Sequence, residues 1–128
     1  RAADYTNKSM ADHIADSREH TTVIVQIEDI AALDNVADIA AVDGVDCLFV
    51  GRADLSVAMQ KSLFDEAIID IVKGICAAGQ QASTAVGMFT PDTTEIPAWR
   101  EDGASLFLLS SDQSLLLAGT KALALTIE

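Results

Sequence analysis

Apolar and polar positions along the chain repeat one pattern four times, a short aliphatic run followed by a helically spaced stripe. The first run, Val23-Ile24-Val25-Gln26-Ile27-Glu28, is β-branched and short, as a buried parallel strand should be. Ile30, Leu33, Val36, Ala37 and Ala40 then recur at helical spacing, with Asp34 and Asp38 on another face and Gly44 at the end. The second strand is expected over 45–50 and stops at Gly51, with a turn or two of helix over 54–60. Ser62 can cap the next helix, whose stripe is Leu63, Phe64, Ala67, Ile68, Ile71, Val72 and Ile75, and Gly79 is expected to stop it. The third strand is expected over 84–89. Thr90-Pro91-Asp92 reads as a cap with Pro at the first helical position, and Pro97 predicts a late start or a kink. A fourth strand over 105–109 and a last helix over 113–125 complete the series. Residues 1–22 read as a polar, partly helical leader and 23–128 as the α/β domain.

Strand and helix in alternation specify parallel βα units with right-handed crossovers. A closed (β/α)₈ TIM barrel needs eight such units and about 250 residues, so this chain of 128 residues reads as half of one. Four parallel strands would leave open edges and a bare face. The half-barrel is therefore expected to be completed by oligomerisation or by an N-terminal half that precedes it. No Gly-x-Gly-x-x-Gly or Walker-type loop follows any strand, which removes the best support for a nucleotide-binding doubly wound sheet.

Charge narrows the partners. Twenty acidic against eight basic residues give a net charge of −12, which repels phosphate backbones and anionic lipid, so neither nucleic acid nor membrane is expected. No run approaches the roughly 20 apolar residues that cross a bilayer. The start, Arg1-Ala2-Ala3-Asp4-Tyr5, shows neither an initiator Met nor an apolar run after a basic one. Cys47 and Cys76 lack partners at zinc-ligand spacing and read as small buried hydrophobes in a reducing cytoplasm.

In parallel α/β folds, chemistry gathers at the carboxyl ends of strands. Gln26 and Glu28 share one face there, being two residues apart in a strand. Asp54 lies just past the end of the next strand, about 4.8 Å away. Glu28 and Asp54 can thus converge on one ion, and two carboxylates with open positions suit Mg²⁺ or Mn²⁺. The loop Gly51-Arg52-Ala53-Asp54-Leu55-Ser56 exposes backbone N–H groups suited to a small carboxylate. The same residues also fit a plainer arrangement, in which Glu28 ends its strand in solvent and Asp54 caps a helix.

Val23-Ile24-Val25-Gln26-Ile27-Glu28, then Gly44-Val45-Asp46-Cys47-Leu48-Phe49-Val50-Gly51-Arg52-Ala53-Asp54-Leu55-Ser56, resembles the HpcH/HpaI aldolase and citrate lyase β-subunit-like family. Val86-Gly87-Met88-Phe89 and Leu108-Leu109-Ser110-Ser111-Asp112 are similar to its last two strand ends. The resemblance covers nearly the whole chain and implies the second half of a (β/α)₈ barrel in a homo-oligomer, from dimer up to hexamer. It implies a divalent metal (Mg²⁺ or Mn²⁺, with Co²⁺ a further candidate) on Glu28 and Asp54, chelated by pyruvate. The implied reaction is cleavage of a 2-keto-3-deoxy or 4-hydroxy-2-keto acid to pyruvate and an aldehyde. Gln26 would take the catalytic position beside substrate and metal. Gly51, Ala53 and Asp54 would receive the pyruvate carboxylate, and Met88 and Phe89 would line the pocket. Three departures stand out. Arg52 replaces the family's usual Pro, the stretch between Ser56 and Leu63 is short, and the connector over 80–83 looks slightly long. The family's base-orienting His and substrate-binding Arg belong to the other half-barrel, and Arg1, His13 and His20 match no motif. A non-catalytic half-barrel serving metal binding or assembly is the alternative from a different functional class.

Overall fold

The computed structural model describes residues 7–127. Helix α1 (Met10–His20) precedes strand β1 (Ile24–Ile27), then short helices α2 (Ile30–Leu33) and α3 (Val36–Ala40). Strand β2 (Cys47–Val50), helices α4 (Arg52–Ala58) and α5 (Glu66–Ala82), and strand β3 (Ala85–Phe89) follow. A 3-10 turn (Thr93–Glu95), helix α6 (Ile96–Glu101), strand β4 (Leu106–Leu108) and helix α7 (Asp112–Ala124) end the chain. The strands form one parallel sheet in the order β1-β2-β3-β4. The opening segment Arg1–Tyr5 singled out above lies outside the described residues.

Strand alternation divides the sheet into two unlike faces. Val25, Leu48 and Val86 are in register, as are Ile27, Val50, Met88 and Phe107. These residues join Ile68, Val72, Ile75 and Cys76 of α5, with Val36 and Ala40 of α3, in a single core. On the other face Gln26, Phe49, Gly87 and Leu106 are in register, with Phe89 opposite Leu108. No described helix covers this face. Ile24, Phe89, Leu106 and Leu108 are 41–55% exposed on it, which is the uncovered interior of a barrel cut in half. Helix α7 also stands apart. None of its residues is buried, and Leu115, Leu116 and Leu117 are largely exposed.

Several local expectations shift. The stripe after β1 breaks at Asp34-Asn35, where two poor helix formers meet and the Asn35 side chain donates back to the Ala31 carbonyl at 3.1 Å. Helix α5 begins after Asp65, whose carboxylate accepts the Ala67 N–H, so Ser62 is not its cap. It runs through Gly79 and ends at Ser83 in the left-handed region (φ 59°), so Gly79 does not stop it, and residues 80–82 are helix, leaving no long connector. Asp92 caps the 3-10 turn rather than a helix starting at Pro91, and α6 takes Pro97 into its first turn. Pro97 therefore produces the late start.

Candidate functional site

The carboxyl ends of β1 and β2 bring the predicted acidic residues to one place. Glu28 follows β1 directly and Asp54 is the third residue of α4; both are exposed. They line the same open hollow of about 330 Å³, together with Asp29, Ile30 and Ala58. An adjoining hollow of about 300 Å³ takes in Gln26, Phe49, the Gly51–Asp54 turn, Leu63, Phe89 and Pro91. Asp54 borders both. The plainer arrangement is half right: Glu28 does end its strand in the open, but Asp54 caps nothing, because Gly51 is the N-cap residue.

Gln26 and Glu28 do share a face, as period two requires. The Gln26 amide Nε2 donates to Glu28 Oε2 at 2.5 Å, which orients the carboxylate; among the described residues Oε1 has no hydrogen-bond partner. Gly51 makes this possible. A Cβ placed there would stand 2.6 Å from Glu28 Cβ and 3.2 Å from both Gln26 Nε2 and Glu28 Oε2. The Gly51 N–H is held by the Ile27 carbonyl at 2.9 Å, so the turn sits tight against the end of β1.

Met88 is a correction. It is 1% exposed and belongs to the core on the helix-covered face, whereas Phe89 lines the hollow. Neighbouring residues of a strand point to opposite faces, so the two could not both line it.

Arg52 does not aim its charge at the hollow. Arg52 is 8% exposed, and its guanidinium meets the Glu95 carboxylate at 2.6 Å and, more loosely, 3.4 Å. It also lies 5.9 Å from the Phe64 ring centroid and 5.6 Å from that of Trp99. Trp99 Nε1 donates to the same Glu95 carboxylate at 3.1 Å. The Arg52 hydrogen bond holds the Glu95 carboxyl below its ordinary range, against an opposing push from burial and with help from Trp99. Glu95 was not foreseen from sequence, since nothing in spacing joins residues 43 apart. Asp29 was also missed; its carboxylate accepts the Ala31 N–H at 2.8 Å and starts α2 at the rim of the hollow.

The donor set fits a hard divalent cation: the Glu28 and Asp54 carboxylates border one open hollow, while that of Asp29, also on its lining, accepts the Ala31 N–H. Among the described residues no group of three His, Cys, Asp or Glu converges on a point. The other coordination positions would fall to water and ligand. His20 bonds within α1 to the Asp16 carbonyl, and neither His20 nor His13 borders either hollow. Both thiols are buried, and burial, with a smaller contribution from Asp102, pushes Cys76 up to about 11. That thiol is neutral and inert at pH 7.

A family model described as HpcH/HpaI aldolase/citrate lyase matches residues 2–118. The chain belongs to this family. It is 34% identical over 123 residues to a 5-keto-4-deoxy-D-glucarate aldolase of Shigella boydii, covering 94% of this chain and 48% of that one. It is likewise 34% identical over 124 residues to a hydroxypyruvate/pyruvate aldolase of Paraburkholderia phytofirmans, covering 94% of this chain and 46% of that one. A solved HpcH/HpaI family protein from Burkholderia cenocepacia superposes with a TM-score of 0.79 at 35% identity, over 91% of this chain and 48% of that one. The chain thus spans about half the length of the curated relatives it matches, and its four parallel strands are half of their TIM-barrel-like fold.

Proposed function

We propose that the chain is the metal-holding half of a divalent-metal-dependent pyruvate aldolase, acting on a 2-keto-3-deoxy or 4-hydroxy-2-keto acid. The observation that carries this reading is the open hollow bordered by Glu28 and Asp54, with Gly51, at the start of α4, packed against Glu28. Glu28 and Asp54 would hold Mg²⁺, Mn²⁺ or Co²⁺. Such an ion, chelated by the keto and carboxylate oxygens of pyruvate, supplies a Lewis acid for charge that develops on the keto oxygen. Gln26 steadies the Glu28 carboxylate and stands beside the substrate. The N–H groups of Ala53 and Asp54, in the first turn of α4 and unused by the helix itself, would receive the pyruvate carboxylate. Phe89 gives the adjoining hollow an apolar wall. The groups that orient a base and grip the rest of the substrate would come from another half-barrel, so turnover requires a complement. Two unbridged thiols suit a reducing cytoplasm, and no described helix is long and apolar enough to cross a membrane.

Isothermal titration tests the site. Mn²⁺ should bind the wild-type chain, more tightly with oxalate present, and Glu28→Ala or Asp54→Ala, each removing one of two charged ligands, should weaken it by about 100-fold, or some 2.7 kcal/mol. No binding, or unchanged affinity in both variants, would sink the assignment.

The open apolar face favours a second reading, that the chain acts as an assembly module without turnover of its own. Ile24, Phe89, Leu106 and Leu108 lie on a face no described helix covers, and burying them against another copy or half-barrel would remove them from water. Sedimentation should therefore show dimers or larger assemblies; a stable compact monomer would refute pairing. Pyruvate release in a lactate-dehydrogenase-coupled assay separates enzyme from module.

A further inference from the structure

The first turn of α4 carries Asp54 yet, like those of α3 and α6, it has no side-chain cap. Helices α1, α2, α5 and α7 are each capped by a side chain, from Ser9, Asp29, Asp65 and Ser111. Gly51 has no side chain to cap with. The turn is held by the Gly51 N–H on the Ile27 carbonyl, the Leu55 N–H on the Gly51 carbonyl at 3.0 Å, and the Ser56 hydroxyl on the Ala53 carbonyl at 2.7 Å. None of these ties it to the next strand along the sheet.

Arg52 does. It is the first residue of α4, and its ion pair reaches Glu95 in the 3-10 turn beyond β3. Both partners are fixed, Arg52 beside the Phe64 and Trp99 rings and Glu95 by the Trp99 indole N–H. The charge of Arg52 is neutralised in place, so it is not free to grip a ligand in this geometry. We propose that Arg52 and Glu95 are a pair of positioning residues that lock the Gly51–Asp54 turn to the loop after β3, and so set where the Asp54 carboxylate stands relative to Glu28. The proposal rests on the metal-site reading above.

The test compares Arg52→Met, Glu95→Gln, the double variant, and Arg52→Pro/Glu95→Gln in the full chain. Methionine keeps much of the apolar stem of Arg52 while removing the guanidinium that lies beside Phe64 and Trp99. Proline at a first helical position pre-sets φ and loses no helical hydrogen bond, so it can stiffen the turn without any partner. Amide exchange is read at Leu55, in the turn, and at Val72, buried in α5 as the global reference. Leu55 exchange should quicken at least about tenfold in each single variant, no further in the double, with Val72 little changed, as for a local opening. Oxalate affinity in the presence of Mn²⁺ should fall about tenfold in step, and the proline variant should restore both readouts. Leu55 exchange that stays at the wild-type rate, or that changes only in proportion to Val72, overturns the proposal, because the pair would then be ordinary structure. Failure of the wild-type chain to bind Mn²⁺ and oxalate would instead count against the metal site, and the exchange data would still decide whether the lock exists.

Discussion

Alanine at position 79 is expected to destabilise the fold by about 2–3 kcal/mol, whereas alanine at position 74, five residues earlier in the same helix, should stabilise it by up to about 1 kcal/mol. A Cβ at Gly79 would stand 2.3 Å from Val86 Cγ2 and 2.9 Å from the backbone oxygen of Thr84, so α5 would have to lift from β3. The Val86 methyl belongs to a β-branched side chain that is 1% exposed, with little room to rotate, and the carbonyl cannot yield without moving the strand. Helix propensity favours alanine over glycine by about 1 kcal/mol at both positions. At Gly74, where a Cβ would meet nothing within 4 Å, that gain stands alone. At Gly79 it is outweighed by overpacking, which also disturbs the Thr84 N–H bond to the Gly79 carbonyl at 2.9 Å. Urea melts of the two variants beside wild type check this, and opposite signs are the required result. Equal shifts would mean that α5 does not press on β3 as described.

The same glycine shows how far the sequence could be read. A Gly near the end of an apolar stripe looks like a helix stop, because the commonest stop is a Gly in the left-handed region. Here Ser83 takes that conformation, and Gly79 serves a contact with a strand that only three dimensions reveal. The strands were legible for a local reason: each is a compact β-branched or aliphatic run, and their regular alternation with helices leaves a parallel sheet as the natural solution. Glu28 and Asp54 were legible because their positions at strand ends follow from that register. Met88 was misread by treating Met88-Phe89 as a unit, although period two already separates the pair. The Arg52–Glu95 pair lies beyond such reasoning. A long-range ion pair leaves no periodic trace, and an Arg after a Gly turn carries no local sign of the carboxylate 43 residues on that neutralises it.

Gly51→Ala should weaken Mn²⁺ binding by close to 100-fold, or about 2.7 kcal/mol, while leaving the chain folded. The backbone at Gly51, with φ −80° and ψ 65°, is open to alanine, so no conformational strain is involved. The effect is one of space: the new methyl would lie 2.6 Å from Glu28 Cβ and within 3.2 Å of Glu28 Oε2. Carbon atoms need nearly 4 Å. Glu28 would have to retreat by more than an ångström, carrying its carboxylate away from Asp54 and from the Gln26 amide that orients it. Coordination to a small hard cation depends on oxygens held near 2.0–2.6 Å, so a displacement of that size is enough to break it. The loss should therefore approach that of Glu28→Ala, although every carboxylate is still present. Glu28 sits at the exposed end of β1, outside the core, so the melting temperature should fall far less than in Gly79→Ala. Titration and a thermal melt on the same preparation separate the two effects. A Gly51→Ala chain that binds Mn²⁺ as wild type does would show that Glu28 is not a ligand. One that loses binding only in proportion to its folded fraction would show the same, because the methyl would then act on stability rather than on the site.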